Sequence, residues 1–165
     1  MKKFLNKFSD VLNSIAIAVA ITAIVVTAVS CFVQVFSRYV LNNSFSWTEE
    51  LCRYASIVVY MFGFSIATKH GTNPKIDALS NLLKGKGQNW HAIYCAVATI
   101  VCAAFIIWFG IKAMPMGARS RSSVLGIPAS YMYVVIMVSM GFCAVHSLAG
   151  IVNDVDRIRG KEAEV

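Results

Sequence analysis

Residues 44–54 read SFSWTEELCRY, two adjacent carboxylates and an arginine set against a strongly apolar stretch. Beyond Arg53 the chain runs from 54 to 68 without a charge, and charges are likewise absent from 11–37, 87–111 and 122–153. A helix that crosses the hydrocarbon layer needs about 20 mainly apolar residues, so three of these runs are long enough as they stand. The run at 54–68 reaches that length once Leu51 and Cys52 are included and Arg53 and Lys69 extend their charged heads to the interfaces. The 165 residues are 58% hydrophobic and 14% charged, with a mean hydropathy of +0.65, whereas soluble domains carry about 25% charged residues. The chain therefore reads as an all-α integral membrane protein. One membrane domain, 1–165, holds four transmembrane helices near 12–37, 48–69, 90–112 and 128–152.

The net charge of +7 would suit a nucleic-acid partner, but its placement points to a bilayer. Lys2, Lys3, Lys7, Lys69, Lys75, Lys84, Lys86, Arg157, Arg159 and Lys161 fall on the side of the termini. Arg38, Arg53, Lys112, Arg119 and Arg121 fall on the other side. The excess of positive charge on cytoplasmic segments then places both termini in the cytoplasm, and no nucleic-acid partner is expected. The first run follows three lysines, as in a signal peptide, yet it is well beyond the roughly 7–15 residues of a signal h-region. It reads as an uncleaved anchor.

Along the first span Asn13, Ala16, Ala20, Ala23, Thr27, Ser30, Gln34 and Ser37 recur at alternating spacings of three and four. They share one helix face, with Ile17, Ile21, Ile24, Val25, Phe32 and Val35 around the remainder. Small residues let backbones approach closely in lipid, and Ser, Thr and Gln bond across to a neighbour, so this is a helix-packing face. Between spans two and three, Asn73 and Pro74 form an N-cap and first-turn pair. Ile76, Leu79, Leu82 and Leu83 make an apolar stripe, and Gly85 is a stop. A short amphipathic interfacial helix near 74–84 is expected there. Pro128 suits the first turn of the last span. Trp47, Tyr54, Trp90, Trp108, Tyr131 and Tyr133 fall near span ends, where interfacial aromatics belong. Cys31, Cys52, Cys95, Cys102 and Cys143 form no C-x-x-C pair and read as small apolar residues.

In SFSWTEELCRY, Ser46 precedes Glu49 by three, the spacing of a capping box. Glu49 precedes Arg53 by four, the favourable order for a helical ion pair. Both carboxylates lie in a first helical turn, where the dipole favours negative charge. Arg38 ends the preceding span at similar depth and is expected to pair with Glu49 or Glu50, while Trp47 anchors the turn among headgroups. An ion path would need acids at mid-depth. A structural cap and ion-pair cluster of Arg38, Ser46, Trp47, Glu49, Glu50 and Arg53 is the reading.

From Arg38 through SWTEELCRYASIVVYMFGFSIATKHGTNPKIDALSNLL the chain resembles the small membrane subunit of tripartite ATP-independent periplasmic (TRAP) transporters. The residues that carry the resemblance are Arg38, Trp47, Glu49, Glu50, Arg53, Tyr54, Gly63, Lys69, Ile76, Asp77 and Leu79. Leu125, Gly126, Pro128 and Tyr131 add a weaker match before the last span, and His70-Gly71 is a departure confined to the turn. The resemblance implies a multi-pass protein of the bacterial inner membrane that braces a large membrane subunit. That partner would carry the sodium and substrate sites, leaving no cofactor in this chain. A periplasmic binding protein would deliver a small organic acid, a C4-dicarboxylate or a sugar acid such as sialic acid. Arg119 and Arg121 lie on the face where that protein arrives and are candidates for docking it.

Two other classes fit less well. A proton-coupled drug exporter needs a membrane-buried acid, and the four charge-free runs contain none. A haem-bearing anchor subunit of an oxidoreductase would use His91 and His146, which lie about one turn apart in depth at 1.5 Å per residue. Each reads instead as an interfacial donor, and no enzymatic activity is expected. Neutralising Glu49 and Glu50 together should lower expression or assembly and leave ion coupling intact, as measured by membrane yield and sodium stoichiometry.

Overall fold

Each charge-free run becomes one helix. The computed structural model describes residues 2–42, 45–71 and 86–162, with side chains at 5–42, 45–71 and 90–155. Helices α1 (Lys2–Tyr39), α2 (Ser46–His70), α3 (Lys86–Arg119) and α4 (Ser130–Glu162) follow one another. Within them Leu5–Tyr39, Ser46–His70, Trp90–Arg119 and Ser130–Val155 are long and apolar enough to cross a membrane, with mean hydropathies of 2.6, 1.4, 2.4 and 2.0. The described residues contain no strand beyond an isolated antiparallel bridge between Arg121 and Pro128. The interfacial helix expected near 74–84, with Asn73, Pro74 and Gly85, lies outside the described residues.

Helix α1 runs unbroken from Lys2 to Tyr39, with no glycine or proline along it. It ends where Asn42 takes a positive φ of 48°, a conformation that asparagine tolerates better than most residues. Gly71 closes α2 in the left-handed region, φ 65°, and its N–H bonds Thr68 O at 3.3 Å. Pro128 stands two residues before α4, not in its first turn. There it pairs with Arg121 across a tight connection in which Ser122 N–H bonds Ile127 O at 3.0 Å and Ala129 N–H bonds Ser120 O at 3.0 Å. With its ring nitrogen unable to donate, Pro128 ends this small bridge and leaves Ala129 O to accept from Met132 N–H at 3.0 Å.

Helix α4 touches all three other helices, α1 packs on α2, and α3 rests chiefly on α4. On α1, Ser9, Asn13, Ala16, Ala20, Ala23, Ser30 and Ser37 are buried, and Thr27 and Gln34 are half-buried. Ile21, Ile24, Val25, Val29, Phe32 and Val35 are exposed on the other side. The core joins Ala16 and Ala20 of α1 to Phe62 of α2, with Val135 and Phe142 of α4 against them. The Phe62 and Phe142 rings meet edge to face at 5.8 Å.

The α3–α4 contact follows a seam of small residues spaced by seven: Ala103, Gly110 and Gly117. Ala103 is 1% exposed. A Cβ at Gly110 would lie 2.8 Å from Met137 Cγ, and one at Gly117 would lie 2.6 Å from the Tyr133 ring and 3.0 Å from Ser130 N. Met137 can yield, whereas the Tyr133 ring and the helix backbone cannot. Gly117→Ala should destabilise the folded protein by about 1–3 kcal/mol, the usual cost of overpacking. At Gly63 a Cβ meets nothing within 4 Å, so Gly63→Ala should be neutral or stabilising by up to about 1 kcal/mol. Thermal unfolding of the two variants in detergent checks the contrast.

Candidate functional site

Two polar clusters mark the two ends of the bundle. At the end that holds the α1–α2 and α3–α4 turns, α2 begins after Phe45, whose φ of −84° and ψ of 106° make it the N-cap with no side-chain cap bond. Ser46 is already helical, so its hydroxyl is not placed to cap, and the expected Ser46–Glu49 capping box is not formed. Thr48 takes over the local bonding: its N–H and Oγ1 both donate to Phe45 O, at 3.1 and 2.7 Å. Thr48 is fully buried. Trp47 stays half out of the bundle, its ring 6.3 Å from that of Phe45.

The two carboxylates diverge. Glu49 accepts from Arg53 Nη2 at 3.3 Å, with both side chains about two-thirds exposed; an exposed i,i+4 pair contributes about 0.3–0.5 kcal/mol. Glu50 reaches across the bundle, and its Oε2 accepts from Leu125 N–H at 2.8 Å and Val124 N–H at 3.3 Å. Ser122 Oγ also receives the Leu125 N–H, at 3.3 Å. One carboxylate thus ties the start of α2 to the connection before α4. Gly126 lets that connection turn, with φ at 66°. Arg38 forms an ion pair with neither carboxylate among the described residues. It lines a cavity of about 350 Å³ with Gln34, Asn42, Phe45, Ser46 and Glu49. The expected Arg38 pairing fails because Arg53 occupies Glu49 from the next turn and the backbone amides occupy Glu50. Arg119 and Arg121 are exposed at the same end, and Lys112 Nζ lies 5.0 Å over the Trp108 ring, a cation–π contact.

The opposite end carries a cluster that sequence reasoning missed. Ser9 Oγ and His146 Nδ1 share a buried hydrogen bond of 2.7 Å, and His146 is only 3% exposed. The expectation of an interfacial histidine is thereby revised: α1 covers it. Lys69 does not run out along α2 but crosses to α1, where its Nζ meets Asp10 Oδ1 at 2.5 Å and Ser9 O at 3.3 Å. The Asn6 and Asn153 amides exchange bonds at 3.4 and 3.5 Å. These contacts join the N-terminal turns of α1 to the last turn of α2 and to the C-terminal half of α4. A cleft of about 1000 Å³ opens beside them, lined among others by Asp10, Lys69, Tyr94, Cys95 and His146. The available signal was the continuation of the α1 stripe backward through Asn13 to Ser9. Among the described residues no group of three His, Cys, Asp or Glu side chains could hold a metal ion.

Four apolar helices long enough to cross a membrane, with interhelical polar bonds toward both ends of the bundle, make this a multi-pass membrane protein. The chain belongs to the DctQ component family of the tripartite ATP-independent periplasmic transporters, whose family model matches residues 27–157. It is a small permease subunit of a transporter and not an enzyme. It is 24% identical over 153 residues to the sialic acid TRAP transporter small permease protein SiaQ of Vibrio cholerae, covering 93% of this chain and 84% of that one. It is 26% identical over 136 residues, 82% of its length, to the sialic acid TRAP transporter permease protein SiaT of Haemophilus influenzae, of which it spans 21%. Similarity to the isethionate TRAP transporter permease protein DctMQ of Oleidesulfovibrio alaskensis is 27% identity over 111 residues, 66% of this chain and 18% of that protein. The chain thus spans about a fifth of each of those two permeases.

The divided roles of Glu49 and Glu50 lead to a direct check by hydrogen exchange. In Glu50→Ala the amides of Val124 and Leu125 should lose protection, while Glu49→Ala should leave both protected.

Proposed function

We propose that this chain braces a larger membrane subunit within a sodium-coupled, binding-protein-dependent importer of a small organic anion. The observation that carries the reading is the pattern of likeness. The chain matches a named small permease along most of both lengths, and a fifth of two permeases several times longer. A separate small subunit working beside a large one accounts for both. The charged side chains that bond between helices lie toward the rims, as Glu50 and Lys69 do, which suits a brace better than a conduit, so the sodium and substrate sites are assigned to the large partner.

The exposed apolar flank of α1 and that of α3, with Val101, Phe105 and Phe109, provide surface for lipid and for the large subunit. The distribution of Lys and Arg supports termini in the cytoplasm, with the turns at Glu50 and Arg121 then in the periplasm of a bacterial inner-membrane protein. Arg119 and Arg121 then face the side from which a binding protein delivers its cargo. The sialic acid named for SiaQ and SiaT supports a sugar acid as the cargo over a C4-dicarboxylate, and the isethionate named for DctMQ keeps the class at small organic anions.

The test is uptake of labelled sialic acid into proteoliposomes that contain the large subunit, this chain and the binding protein under an inward sodium gradient. Uptake should require all three components and collapse without sodium; full uptake in the absence of this chain would overturn the bracing role. In the same assay Arg119→Glu with Arg121→Glu should raise the KM for the binding protein several-fold at low ionic strength, with the difference shrinking as salt rises, because rim charges act mainly on encounter. Unchanged uptake at both ionic strengths would remove the docking assignment.

A further inference from the structure

Cys31 of α1 and Cys52 of α2 lie on different helices, 21 residues apart in sequence, with their sulfur atoms 3.1 Å from each other. A disulfide needs about 2.05 Å between sulfurs and side chains that point toward one another, so an approach of about 1 Å separates this contact from a bond. The pairing follows from the hairpin. Cys31 precedes the end of α1 at Tyr39 by eight residues and Cys52 follows the start of α2 at Ser46 by six, roughly two helical turns down each arm at 1.5 Å per residue. Cys52 adjoins Arg53, whose side chain is 68% exposed, and a charged head there holds this turn of α2 at the water interface. Cys31 is exposed and Cys52 half-buried. The Cys31 side of the pair is open at the bundle surface, within about two helical turns of the hairpin end. Among the other described cysteines, Cys143 lies 3.8 Å from the Thr68 hydroxyl and Cys95 lies 3.8 Å from the His91 imidazole.

We propose that Cys31 and Cys52 form a disulfide that staples α1 to α2 at the hairpin end. The oxidant is a protein or low-molecular-weight disulfide of the oxidising compartment outside the cytoplasm. The thiolate of one cysteine attacks a sulfur of that disulfide and releases its partner sulfur as a thiol. The thiolate of the second cysteine then attacks the mixed disulfide, closing the Cys31–Cys52 bond and releasing the oxidant's remaining sulfur. Two electrons pass to the oxidant, and the two protons shed by the cysteines end on its two thiols. The bond would hold together two helices that meet largely through alanine and serine, near the turn from which Glu50 reaches the α3–α4 connection. Its formation in the cell rests on the outward placement of this end given under Proposed function.

The experiment is acid quenching of cells that express the full chain, alkylation with N-ethylmaleimide, and proteolysis followed by mass spectrometry without reductant. A peptide linking Cys31 to Cys52 is expected, with both residues alkylated only after reduction, and Cys31→Ser should abolish the link and leave Cys52 alkylated. Alkylation of both cysteines before reduction would overturn the proposal for the cell. Oxidised glutathione added to the native protein in isolated membranes then separates the two premises. A link that appears only under that treatment overturns the outward placement, and mixed glutathione adducts without a link overturn the pairing itself.

Discussion

Hydrocarbon offers apolar side chains no reward for leaving it, so helices in a bilayer associate by close approach and by bonds between polar groups. That constraint orders this bundle. Where α1 meets its neighbours it presents Ala16, Ala20 and Ala23, and where α3 meets α4 it presents Ala103, Gly110 and Gly117. The large side chains of both helices, Phe32, Phe105 and Phe109 among them, point outward. A soluble bundle would reverse this arrangement. Around Phe62 and Phe142 bulky residues of α2 and α4 meet in the interior.

Small-residue contacts give proximity but little directional hold, and the polar bonds at the two rims supply the register. Glu50 joins the α2 start to the connection before α4, and Lys69, Ser9 and His146 join α1, α2 and α4 at the other end. Glu50 at one rim and the Ser9–His146 bond at the other reach α4 or the connection before it, so the hairpin of α1 and α2 is held against α4 at both ends. Helix α3, which rests chiefly on α4, is the least covered of the four. The bundle keeps broad apolar flanks on α1 and α3.

Much of this was legible in the residues. The charge-free runs located the four helices because a bilayer tolerates few charges, and the alternating spacing on α1 revealed its packed face because small and polar residues there have no other use. The i,i+4 pair of Glu49 and Arg53 was likewise readable, being local. What escaped was non-local. Glu50 and Leu125 are 75 residues apart, and no pattern near either one announces a carboxylate bonded to backbone amides. Ser9 and His146 are separated by 137 residues, so the histidine read as interfacial. The capping box failed by one residue: the helix began at Ser46 instead of after it, and helix ends are where local signals are weakest. The seam on α3 was present as a seven-residue spacing but was diluted by the other alanines of that span.

The claim that this chain works as the brace of a larger permease is tested most directly by its company in the membrane. The measurement is native mass spectrometry after mild-detergent purification through a tag on this chain, co-expressed with the large subunit of its transporter. One copy of this chain bound to one membrane protein several times its mass is expected. Recovery of the chain alone, or only as a homo-oligomer with the large subunit left behind, would contradict it.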